Sequence, residues 1–82
     1  SPVYPNPFNP SANISFSLPV NSMVNLSVWN LEGRKVSQMI DQSLSAGVHN
    51  VRWMAHDTPA GVYIFLLEVN GQRITTKGVL VK

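Results

Sequence analysis

The chain has 82 residues, 44% hydrophobic and 12% charged, with six prolines, five glycines and no cysteine, which admits one small globular domain and little spare chain for an active-site cleft. Six Lys and Arg against four Asp and Glu give a formal charge of +2. The basic residues Arg34, Lys35, Arg52, Arg73, Lys77 and Lys82 are scattered apart from one adjacent pair, so the clustered stripe that nucleic-acid binding requires is missing. No apolar run approaches the ~20 residues a membrane-spanning helix needs. The start, Ser1-Pro2-Val3-Tyr4-Pro5, lacks the basic-then-apolar layout of a signal peptide, so the sequence is expected to be neither a membrane span nor a complete secretory precursor.

Taken in chain order, residues 1–11 read as a Pro-rich linker leading into the first strand, because Pro2, Pro5, Pro7 and Pro10 remove backbone donors and favour an extended path. Something further is expected to precede it. Residues 12–82 read as one domain. Ile14, Phe16 and Leu18 alternate with serines, and Val24, Leu26 and Val28 alternate with Asn25 and Ser27, which is the pattern of two half-buried strands. Pro19-Val20-Asn21-Ser22 separates them, and Asn30-Leu31-Glu32-Gly33 supplies a glycine able to take positive φ at the next turn. A third, less regular strand follows over 35–40, then a loop over 43–47 and a fourth strand over 48–54 in which Val51 and Trp53 share a face. Residues 61–69 are apolar on both faces from Val62 to Leu67, which predicts a strand in the middle of a sheet, covered on both sides. Asn70-Gly71 is a strong type I′ hairpin signal, and the final strand returns over 72–81. No segment has a helical period. The fold predicted is an all-β, immunoglobulin-like antiparallel β-sandwich of about seven strands. With no cysteine it must hold by packing alone or with support from a neighbouring domain.

Candidates for chemistry are few. His49, His56 and Asp57 are the only places to argue a metal or a catalytic base, and they lack the close ligand spacing of a zinc motif. They read as solvated turn residues. There is no Gly-x-Ser-x-Gly elbow, no Walker loop and no Gly-x-Gly-x-x-Gly, so the residues point to no enzyme, no cofactor and no metal. Asn13-Ile14-Ser15 and Asn25-Leu26-Ser27 match the glycosylation pattern but fall inside predicted strands. Trp53 and Tyr63 sit among alternating apolar neighbours and read as core. Trp29 falls on the opposite face from Val28, either in solvent or under the Pro-rich linker, and one exposed aromatic is not a sugar-stacking platform.

The opening Tyr4-Pro5-Asn6-Pro7-Phe8-Asn9-Pro10-Ser11 with Ile14-Ser15-Phe16-Ser17-Leu18-Pro19, followed by Val28-Trp29-Asn30-Leu31-Glu32-Gly33-Arg34-Lys35-Val36, resembles the type A C-terminal sorting domain of the type IX (Por) secretion system. Leu44 to Trp53, Pro59-Ala60-Gly61-Val62-Tyr63 and the ending Lys77-Gly78-Val79-Leu80-Val81-Lys82 extend the resemblance in the right order along the whole chain. Trp29 stands where that family commonly has tyrosine and Arg34 where it has glutamine.

The resemblance implies a non-catalytic domain at the end of an exported polypeptide, presented after passage through the periplasm to an outer-membrane translocon. A sortase-like protease would cut in the preceding linker, leaving the cargo on the cell surface or released. Recognition is expected on the last hairpin, through an exposed strand edge. Gly61, Tyr63, Gly71, Lys77, Val79, Val81 and Lys82 are the candidate sorting residues, while Pro5, Asn6, Pro7, Gly33 and Gly47 are expected to serve the fold. Self-association through the terminal strand is a further expectation. A related pattern occurs in the immunoglobulin-like domain of the flagellar hook-capping protein. The alternative reading is an accessory module, structural or carbohydrate-binding, of a secreted enzyme.

Overall fold

The computed structural model describes residues 10–55 and 57–81. Six strands run in chain order: β1 (Ser11–Leu18), β2 (Ser22–Asn30), β3 (Lys35–Leu44), β4 (Gly47–Met54), β5 (Gly61–Val69) and β6 (Gln72–Leu80). All pairings are antiparallel. One sheet has two strands, β1-β4, and the other has four, in the order β3-β2-β5-β6.

The alternation read from the sequence decides which side chains meet between the sheets. Ala12, Ile14, Phe16 and Leu18 of β1 are buried with Trp53 of β4; Val24, Leu26 and Val28 of β2 meet Tyr63, Phe65 and Leu67 of β5 and Leu80 of β6 in the same cluster. Trp53 ties the two sheets together. Its ring lies edge-on to Tyr63 at 5.6 Å and 67° and to Phe65 at 5.5 Å and 80°. Such pairs add about 0.5–1.5 kcal/mol each beyond the area they bury. At the start of β1, the Ala55 N–H donates to the Pro10 carbonyl at 2.9 Å and fixes where the chain enters the sheet.

The structure corrects several expectations. The described residues form six strands, not about seven. β1 starts at Ser11, inside the segment read as linker, because its ladder with β4 continues to the Ser11–Met54 pair. β3 runs on to Leu44, so the loop predicted over 43–47 shrinks to Ser45 and Ala46; the ladder with β2, which continues to Ser22–Leu44, extends the strand through polar residues that carry no strand signal. β6 ends at Leu80. β5 does lie inside its sheet, but Val62, Ile64 and Leu66 on its outer face are only half-buried, since among the described residues no second layer covers that side. His49 is not a turn residue: it sits in β4, half-buried, with its ring stacked 5.6 Å from Phe16. His56 lies outside the described residues.

Candidate recognition surface

The last hairpin is built around a two-residue turn. Asn70 has φ 48° and Gly71 φ 87°, the left-handed pair that a type I′ turn demands and that Asn and Gly tolerate best. Asn70 also anchors the turn to β2. Its N–H donates to the Met23 carbonyl at 3.1 Å, and its Oδ1 accepts from the Met23 N–H at 3.0 Å.

The candidate sorting residues do not form one cluster. Gly61 pairs with Leu80, Val62 with Val79 and Tyr63 with Gly78, so Gly61, Tyr63, Lys77, Val79 and Val81 gather at one end of the hairpin while Gly71 closes the other. The nine residues of β5 put roughly 30 Å between them. Faces divide them again: Tyr63 points into the core, whereas Lys77 and Val79, opposite Ile64 and Val62, belong to the outer face. Gly33 takes φ 80° at the β2–β3 turn, where Asn30 Oδ1 accepts from the N–H groups of Glu32 and Arg34. Gly47 takes φ 125° at the start of β4, a conformation that an added Cβ would strain. Pro5, Asn6, Pro7 and Lys82 lie outside the described residues.

Tyr63 has a defined role in the fold. Its hydroxyl donates to the Pro59 carbonyl at 2.6 Å and holds the connector into β5 against the core. Burial, with a smaller contribution from the Glu32 carboxylate, pushes its phenol pKa above the ordinary value. The folded state therefore favours the neutral phenol, so this stabilisation is complete below the unfolded tyrosine value of about 10 and is lost as pH rises through the folded one. Denaturant midpoints measured on an alkaline series should fall above that pH in the natural chain. Tyr63→Phe should remove the Tyr63 component of that slope, at a cost of about 1 kcal/mol at neutral pH from the lost hydrogen bond.

Two features escaped the sequence reading. The first is a row across the four-stranded sheet: Lys35, Trp29, Ile64 and Lys77 are successive register partners on its outer face. Trp29 is half-buried there, with Nε1 donating to Ser27 Oγ at 2.9 Å and the Lys35 ammonium 5.6 Å from its ring centre. The second is a groove of about 590 Å³ between the end of β1 and the start of β6, with Phe16, Leu18, Leu67 and Ile74 among its walls. Neither leaves a local signal, since each depends on strands distant in sequence. Among the described residues no group of three or more His, Asp and Glu is placed to hold a metal ion. No helix among them is long and apolar enough to cross a membrane.

The family described as "Secretion system C-terminal sorting domain" matches residues 2–82. The chain belongs to this family, the C-terminal sorting domains of type IX secretion. No curated protein matched the sequence.

Proposed function

We propose that the domain is a folded address, read on its terminal hairpin by the outer-membrane translocon of the type IX system. The observation that carries this is the family match over residues 2–82. The hairpin supports it physically, since among the described residues β6 is the edge strand of its sheet and an edge offers backbone groups to a partner. Gly61, Tyr63 and Gly71 set the shape of that hairpin, Lys77, Val79 and Val81 lie at its outer end, and Lys82, outside the described residues, is counted with them as a sorting residue. The cargo precedes the domain in the same polypeptide. A sortase-like protease cuts in the linker that precedes the domain, and the cargo is released or kept at the cell surface.

The fold under this reading is immunoglobulin-like. β1 and β4 correspond to strands B and E, and β3, β2, β5 and β6 to strands C′, C, F and G. The role is non-catalytic.

The test fuses residues 1–82 to the C-terminus of an exported fluorescent reporter, in a bacterium with a working type IX system and in its translocon-deficient mutant. Surface or medium fluorescence is expected only where both the domain and the translocon are present. Reporter held in the periplasm of both strains, with the domain folded, would overturn the assignment.

A further inference from the structure

The inward face of β6 opens progressively toward the hairpin turn. Leu80 and Gly78 are buried, Thr76 is half-buried, and Ile74 is 58% exposed although it faces inward opposite Leu67, itself only 8% exposed. The interior thus ends in an uncovered apolar residue. Beside it runs the groove of about 590 Å³, floored by Phe16, Leu18 and Leu67 and flanked by the exposed Val20 and Ile74. Among the described residues no charged side chain lines it.

The backbone at this place is also poised for pairing. In a two-residue hairpin the flanking residues, here Val69 and Gln72, exchange both hydrogen bonds. Alternation then turns the N–H and C=O of Arg73 and Thr75 away from β5, toward the open edge. Lys77 and Val79, further along the same edge, already have interactions, so the receptive stretch is the first half of β6. A second copy of the chain fits poorly there. In an antiparallel β6–β6 pair centred on Thr75, Arg73 would face Lys77 of the partner copy, and like charges directly opposite are destabilising.

We propose that the groove between the end of β1 and the first half of β6 receives an extended, uncharged, alternately apolar strand presented by a component of the translocon. The strand pairs with Arg73 and Thr75, and its inward side chains cover Ile74 and fill the space above Phe16, Leu18 and Leu67. This rests on the sorting reading and names the surface that is read.

Thr75→Pro removes an outward N–H without touching the β5 ladder, and Ile74→Lys puts a charge into the neutral groove. Val48→Lys, on the exposed part of β4, is the control. In the reporter fusion, with folding checked by circular dichroism and melting, each groove variant is expected to lower translocon-dependent export roughly tenfold, a loss worth about 1.4 kcal/mol of recognition. Val48→Lys should export like the natural chain. Should Thr75→Pro fail to fold, a photo-crosslinking residue at Ile74 takes its place; a translocon-dependent adduct to a translocon subunit, lost in cells lacking the translocon, is then the expected result. Normal export of folded Ile74→Lys and Thr75→Pro while the natural fusion is exported overturns the groove and leaves the sorting function standing. An adduct within the same chain, to residues 1–9, or a dimer in sedimentation that Ile74→Lys dissolves, assigns the groove to another occupant and also overturns it. Failure of the natural fusion itself removes both readings.

Discussion

Phe65→Ala is expected to lower the free energy of unfolding by about 3–5 kcal/mol, the usual loss for deleting a buried aromatic ring. Phe65 is 2% exposed, lies in the middle of β5, and meets the Trp53 ring that joins the two sheets. A domain of 82 residues has a total stability of only about 4–12 kcal/mol, so the variant would stand at the edge of unfolding. Urea denaturation followed by tryptophan fluorescence measures it. Ile64→Ala, one residue away on the half-buried outer face, should cost about 1–2 kcal/mol. Equal losses at the two positions would mean that the outer face is as well covered as the core.

Replacing both turn residues, Asn70→Ala with Gly71→Ala, should cost about 2–4 kcal/mol. Each left-handed residue other than glycine or asparagine carries about 1–2 kcal/mol of strain, and the Met23 N–H also loses its Asn70 acceptor. In a domain of this size each kcal/mol moves the melting temperature by roughly 4–8 °C. Gly71→Asn is the companion variant, and because asparagine tolerates this conformation it should melt well above the double alanine variant. If the two melted together, turn strain would not be what holds the hairpin, and the anchoring to Met23 would carry the effect.

These two positions also show how far the sequence reaches. Phe65 and its neighbours announce a strand within a sheet, because an apolar run of that length bounded by Gly61 and Asn70-Gly71 has few other solutions. The run does not reveal how each face is covered. Both faces read alike, yet the structure buries Tyr63, Phe65 and Leu67 and leaves Val62, Ile64 and Leu66 half-exposed, because the second sheet lies on one side of β5. The end of β3 was equally hidden. Ile40 to Leu44 passes through Asp41, Gln42 and Ser43, and it is held extended by its ladder with β2 and by Ile40 and Leu44 packing on the core. His49 reads as a turn residue by type, and its place against Phe16 follows from the β1–β4 register, which joins segments more than thirty residues apart.

The candidate surface divides along the same line. The Asn70-Gly71 turn, the buried role of Trp53 and Tyr63 and the family resemblance are all local patterns, legible because turn chemistry and period-two alternation act between near neighbours in the chain. The sequence by itself therefore determined an all-β chain, its terminal hairpin and its kinship with the sorting domains. The tertiary structure alone decided that the candidate residues fall at opposite ends of that hairpin, that Lys35, Trp29, Ile64 and Lys77 form one row, and that Ile74 faces an open groove beside β1. Those arrangements come from which strands lie side by side, and strand order is set by packing the whole core at once, a property no single segment carries.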